Sequence, residues 1–333
     1  MHSDGRKIRS LEVAERAQIS RSTVSRVLSG DPRISEATRA RVLAAADELG
    51  YQPNLIARGL KNQSTGIVGV VVTDLDNSYH AHALQLLIEK MGEKRLAPLV
   101  FAGNSVEGAE SAIARLMSYQ VDAVIALAAP FSQSIIAACR TGSKPLVLMN
   151  RHEGEESVSA VGGDGAAAGA MVADHLVARG ARSFAFFGGD DSTKISMERQ
   201  TGFADRLAAH SFSLGTVCTS PYSYDPAREV AASVLSAAPD AVFCGNDTLA
   251  MALADAARER DAGPLPMIVG YDNSALAARP VYDLTSVDQN LEEMTSRTVE
   301  TALAMVFNPQ APTVRLTISP FLVERGSTRP RTS

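Results

Sequence analysis

Residues 13–60 read VAERAQISRSTVSRVLSGDPRISEATRARVLAAADELGYQPNLIARGL, and their punctuation predicts three short helices with little room between them. Val13, Ala14 and Ala17 recur at helical spacing before Gln18-Ile19 interrupts. Ser20 suits the N-cap of a second helix, SRSTVSRVL, ending near Ser29-Gly30. Ser35 suits the N-cap of a third, with Glu36 in the first turn where the helix dipole favours negative charge. Val42, Leu43, Ala46 and Leu49 form the expected inner stripe of that helix, and Gly50 its stop. Two short helices joined by a tight turn and braced by a third make a helix-turn-helix. In the second helix Val24, Val27 and Leu28 share the inner face, while Arg21, Ser22, Ser25 and Arg26 share the opposite one. An arginine fork matches guanine O6 and N7, and short hydroxyl side chains reach base edges or phosphates. That outer face therefore predicts a major-groove surface.

Charge is distributed unevenly along the chain. The 333 residues carry a formal net charge of −5, but residues 1–65 hold 11 Lys+Arg against 7 Asp+Glu, and the remainder 21 against 30. A basic head precedes an acidic body. With 45% hydrophobic and 21% charged residues the chain can bury more than one core, which predicts about two to three domains. No apolar run approaches the ~18 residues of a membrane span, and Met1–Val13 is polar, so a cytoplasmic protein is expected. Cys139, Cys218 and Cys244 are odd in number and widely spaced, which suits small core residues in a reducing compartment and neither a disulfide framework nor a metal site.

PNLIARGLKNQSTG, residues 53–66, separates head from body. Pro53 suits a helix start, but Asn54–Leu60 supplies only about two turns, too few to be stable alone, so this segment needs a partner. Beyond Gly66 short β-branched runs alternate with helical patterns, the rhythm of β-α-β units and an α/β fold. Expected strands are 67–73, 97–103, 122–128, 145–150 and 158–164, then a second series at 182–189, 240–247, 266–273 and 284–288. Two series imply two lobes. Ligands of open parallel sheets sit beyond the carboxyl ends of the strands, where this chain places Asp74, Asn77, Asn150-Arg151, Asp164, Asn246-Asp247, Asp272-Asn273 and Asp288-Gln289. Each alone is an ordinary turn former or helix cap. Their repetition on both lobes, with Glu198-Arg199 after Gly188-Gly189, predicts a cleft suited to a hydroxyl-rich ligand.

The run from Val13 to Leu60 resembles the DNA-binding head of the LacI/GalR family of bacterial transcription regulators. The resemblance implies that Arg21, Ser22 and Arg26 read base edges and that Thr23, Ser25, Ser29 and Arg33 hold phosphates. It also implies a hinge helix in 53–65 that orders on DNA against a second subunit, with Leu60 wedging between base pairs and Ala57 beside the groove floor. Two positions depart from the family: Gln18 stands where glycine is usual, at a site preferring positive φ, and Ser10 stands where an apolar residue is usual, with Leu11 expected to take over that packing. NSYH (77–80), LMNR (148–151), ERQTGF (198–203), CGNDTLAMAL (244–253), VGYDNS (269–274) and SVDQ (286–289) resemble the family's effector domain, a periplasmic-binding-protein-like body of two Rossmann-like lobes. They imply an effector cleft lined by Asn77, Tyr79, His80, Asn150, Arg151, Arg199, Asn246, Asp272 and Gln289. His80 replaces the family's usual aromatic, and Asn150 a common aspartate.

The domain plan implied is a helix-turn-helix domain over 1–52, hinge and linker over 53–65, an N-terminal lobe of 66–163 plus about 290–319, and a C-terminal lobe of 164–289 plus about 320–333. The partners implied are pseudo-palindromic operator DNA, a small effector, most simply a sugar, and a second copy of the chain. A purine or nucleoside corepressor is the alternative effector. Gly163-Asp164-Gly165-Ala166-Ala167-Ala168 fits a GxGxxA dinucleotide motif, which raises an oxidoreductase alternative, but the nearest acidic strand end lies some 27 residues on rather than about 20. Those small residues are expected to let the following helix approach its strand. No catalytic motif or cofactor is expected, and a transport binding protein would lack the head.

Overall fold

The computed structural model describes residues 8–28, 31–51, 64–103, 105–128, 132–151, 158–189, 194–260 and 265–329. It divides into two compact units, Met1–Gly66 and Ile67–Ser333.

The first unit contains α1 (Ser10–Arg16), α2 (Arg21–Leu28) and α3 (Glu36–Glu48). Its core is Val13, Ala14, Ala17, Val24, Val27, Val42, Ala45 and Ala46, with Leu28 and Leu49 packed against it. Ser20 Oγ accepts from the Thr23 amide at 3.2 Å, and Ser35 accepts from Thr38, so the expected hydroxyl caps open α2 and α3. The turn residue Gln18 sits at φ 52° and the stop residue Gly50 at φ 62°. Two expectations fail. Leu43 is half exposed, because the helical angle puts Ala45 on the inner stripe instead, and Leu11 also faces solvent and does not pack in place of an apolar residue at Ser10.

The second unit holds two six-stranded sheets. One has the order β11-β5-β4-β3-β1-β2, built from β1 (Ile67–Val72), β2 (Ala97–Ala102), β3 (Ala123–Leu127), β4 (Leu146–Met149), β5 (Ser159–Gly163) and β11 (Arg315–Ile318), all parallel. Strand alternation sends Val70, Ile125 and Val147 to one face, against α4 (Ser78–Glu93) and α11 (Leu291–Phe307). Val71, Val124 and Leu148 go to the other, against α5 (Val106–Ser118) and α6 (Gln133–Thr141). Both faces are covered, which is why these strands read as unbroken apolar runs.

The other sheet has the order β12-β10-β9-β8-β6-β7, from β6 (Phe184–Gly188), β7 (Leu214–Thr219), β8 (Ala241–Cys244), β9 (Met267–Tyr271), β10 (Thr285–Asp288) and β12 (Phe321–Val323), the last antiparallel to β10. One face packs on α7 (Gly165–Ala178) and α8 (Lys194–Ala209), through edge-to-face contacts among Phe184, Phe186, Phe203 and Phe243. The other packs on α9 (Tyr224–Ser236) and α10 (Asp247–Glu259). Three strands escape a reading of apolar runs. All three are edge strands, β7 and β11 with alternate residues exposed and β12 only three residues long.

The chain passes between the sheets three times, after β5, after β10 and between β11 and β12. The first crossing removes the dinucleotide alternative's structural context. β5 belongs to one sheet while α7 packs on the other, so strand and helix form no β-α-β unit, and Asp164 caps α7 through the Ala167 amide at 2.8 Å. The small residues of α7 do not serve contact with its strand either. A Cβ at Gly169 would overlap the Arg199 carbonyl and Phe203 amide, and one at Gly202 the Ala166 carbonyl, so the helices α7 and α8 touch through their backbones.

Candidate functional site

The outer face of α2 is exposed as its periodicity requires: Arg21, Ser22, Ser25 and Arg26 face solvent and Thr23 is partly covered. Ser20 Oγ bonds to Ser22 Oγ at 2.8 Å and Thr23 Oγ1 at 2.9 Å, which gathers three hydroxyls at the amino end of the helix. Arg21 Nε donates to Ser10 Oγ at 3.2 Å, so the polar residue that departs from the family pattern holds an arginine. Arg33 forms a fork with Asp31, Nε to Oδ1 at 3.0 Å and NH2 to Oδ2 at 2.9 Å. The side-chain bond from Arg33 holds the Asp31 pKa down at about 2. A phosphate would therefore meet NH1 of Arg33 or displace Asp31. Ser29, Ala57 and Leu60 lie outside the described residues.

In the second unit a cavity of about 180 Å³ opens at the carboxyl ends of both sheets. Asn77, Tyr79 and His80 reach it from the start of α4, and Asn150 and Arg151 from the end of β4. Across from them Arg199 comes from α8, and Asn246, Asp272 and Gln289 from the ends of β8, β9 and β10. All nine residues expected at the cleft line this one cavity. Turns at positive φ aim two of them, with φ 58° at Asn150 and 99° at Asp272; asparagine and aspartate tolerate such values better than other side chains. Asn77 and Asn246 also cap α4 and α10, accepting from Tyr79 at 3.0 Å and Leu249 at 2.9 Å.

The far wall is buried and charged. Arg199 is 5% exposed, its guanidinium carbon 3.5 Å from the Tyr271 ring centroid and its NH1 donating to the Gly245 carbonyl at 2.5 Å. Burial works against its charge, but Tyr271, Tyr222 and Asp272 outweigh it and raise the pKa. Its Nε is buried without a hydrogen-bond partner among the described residues, as is Ser220 Oγ. Asp272 accepts from Gln289 Nε2 at 2.7 Å. Burial pushes its pKa up to about 7, against the opposing pull of Arg199.

Other strand-end residues serve the frame. Asp247 sits beneath the cleft, accepting from Ser286 Oγ and the Ser274 amide, both at 2.6 Å, with its pKa raised to about 6 by burial. Asn273 donates to Asp288 at 2.9 Å, and Asp74 closes its own turn through the Asp76 amide at 2.9 Å. Two cavity residues escaped the sequence reading, Ala128 and Tyr222. Tyr222 follows β7, so recognising that edge strand would have found it. Ala128 carries no polar signal, and only its φ of 49° marks it, a strained value of the kind that collects at ligand sites.

Residues 11–54 match the profile of bacterial regulatory proteins of the lacI family, and residues 173–328 that of a periplasmic binding protein-like domain. Catabolite control protein A of Staphylococcus xylosus is 31% identical over 290 residues, covering 85% of this chain and 88% of the relative. The chain belongs to the LacI family of bacterial regulatory proteins. The HTH-type transcriptional regulator AscG of Escherichia coli is a further relative, 31% identical over 297 residues with the same coverage of 85% and 88%. The solved lac repressor dimer, bound to operator and the anti-inducer ONPF, shares the fold with a TM-score of 0.83 at 22% identity, over 97% of this chain and 100% of that one. A transcriptional regulator CelR–cellobiose complex matches with a TM-score of 0.72 at 26% identity, over 96% and 99%. The chain is thus a DNA-binding LacI-family transcription regulator. No described helix is long and apolar enough to cross a membrane.

Proposed function

We propose that this regulator is a repressor that binds a pseudo-palindromic operator as a homodimer and releases it when a small hydroxyl-rich effector, a sugar or sugar derivative, fills the cleft. The observation that carries the reading is the cavity at the carboxyl ends of both sheets, where Arg199, Asp272 and Gln289 stand across from Asn77, His80 and Asn150. Carboxylate, amide and guanidinium groups from two lobes suit a ring of hydroxyls, and the cellobiose-bound relative supports the same class. Base edges are read by Arg21, Ser22 and Arg26; Thr23, Ser25, Ser29 and Arg33 hold phosphates. Hinge residues Ala57 and Leu60 enter the minor groove, and loss of their pairing across the dimer lowers operator affinity when effector changes the lobes' arrangement.

The test is selection of operator sites from random DNA with the full chain, followed by gel-shift titration with monosaccharides, disaccharides and nucleosides. A sugar should weaken the complex, and Arg199→Ala should keep operator binding while losing the response. A nucleoside that strengthens the complex would reverse the sign and favour a corepressor.

A further inference from the structure

His80 lines the cleft with a ring that is held from behind. Its Nδ1 lies 2.9 Å from the Asp74 carbonyl oxygen and 3.4 Å from Thr73 Oγ1. A carbonyl oxygen only accepts, so Nδ1 carries the hydrogen. Burial lowers the His80 pKa from its ordinary value, against the opposing Asp74 carbonyl, and the ring is therefore neutral near pH 7. A neutral imidazole protonated at Nδ1 bears a lone pair on Nε2. The polar atom that His80 offers a ligand is an acceptor.

We infer that His80 sets the charge class of the effector: Nε2 accepts from a ligand hydroxyl, so the cleft takes an uncharged sugar or polyol in preference to the matching sugar acid or sugar phosphate. This rests on the reading of the cleft as the effector site. A carboxylate or phosphate oxygen at the same place would set lone pair against lone pair. Arg199, the arginine on the Asp272 wall, does not reverse the preference. It already faces Asp272, stacks on Tyr271 and bonds the Gly245 carbonyl. Asp272, on the lobe opposite His80, is a second acceptor when ionised. A ligand spanning the two must bring donors to both ends, which hydroxyl groups do and acid oxygens do not.

The test uses the full chain in two measurements. Calorimetry and thermal shift compare matched sets: a neutral hexose or pentose, its reduced polyol, its uronic acid and its phosphate ester. The neutral member of the productive set should bind at least tenfold more tightly than its charged partners. His80→Phe should lose about tenfold in affinity, and His80→Gln, which keeps an acceptor oxygen, should recover part of it. Nitrogen-15 imidazole NMR, with His80 assigned by its loss in His80→Gln, should show the hydrogen on Nδ1. An acid or phosphate that outbinds its neutral partner, or a hydrogen on Nε2, overturns the inference. If no member of any set stabilises the protein, the effector-cleft reading is what fails, and the NMR result still decides the His80 geometry.

Discussion

The two functional surfaces solve opposite problems. On α2 the side chains assigned to DNA, Arg21, Ser22, Ser25 and Arg26, are exposed and the fold rests on the valines behind them. In the cleft, Arg199, Asn246 and Gln289 are 5%, 3% and 2% exposed, so the groups assigned to the ligand are also part of the packed interior. Function can change on the first surface with little effect on stability. At these three positions a change in function is also a change in folding energy, because a polar or charged group out of water must be matched by its neighbours.

The hardest test of that contrast is at the backbone contact between α7 and α8. Gly202→Val drives a branched side chain into the Ala166 carbonyl. Overpacking against backbone exceeds the ~1–3 kcal/mol usual for side chains, so calorimetry should show the body's melting temperature falling by about 10 °C or more, with the head's transition unchanged. Arg26→Ala comes next: operator affinity should fall by about 1–3 kcal/mol while random-DNA affinity and melting temperature stay put. An equal loss on random DNA would make Arg26 a phosphate contact.

Asp272→Asn separates the two roles of one residue. The folded protein keeps the Asp272 proton up to about pH 7, whereas an unfolded aspartate releases it near 3.8. Between those values the folded state binds more protons, so the stability contributed by this group falls as pH rises through the window. The asparagine, which resembles the protonated form, should therefore melt several degrees higher near pH 8, with the gap closing toward pH 4, and should lose the effector response throughout. A variant that melts lower at pH 8 would show that the Asp272 charge is compensated in place. The smallest effect belongs to the turn of the head. Gln18→Gly relieves a side chain at φ 52° and should slow hydrogen exchange of α1 and α3 amides by up to about 1 kcal/mol.

Much of this was legible in the chain. The caps Ser20 and Ser35, the inner valines and the stop at Gly50 are local signals, and each does locally what its chemistry requires. The stripe failed at Leu43, where side-chain hydrophobicity suggested the core and the helix angle put Ala45 there. In the body, unbroken apolar runs marked the doubly covered strands, but the edge strand β7 was hidden by its alternating exposure, and Tyr222 with it.

The sequence by itself determined the three-helix head, its cationic outer face, two series of β-α units and polar residues at the strand ends, because these follow from period, cap and turn chemistry within a few residues. Only the tertiary structure decided which of those polar residues meet. Asp272 enters the cavity while its sheet neighbour Asp247 lies beneath it, and Asp164 turns back to cap a helix. The direction of a side chain at a strand end hangs on one or two backbone angles and on what packs against it from distant segments, here α11 returning to the first sheet and α8 lying backbone to backbone on α7. Such long-range contacts have no local signature.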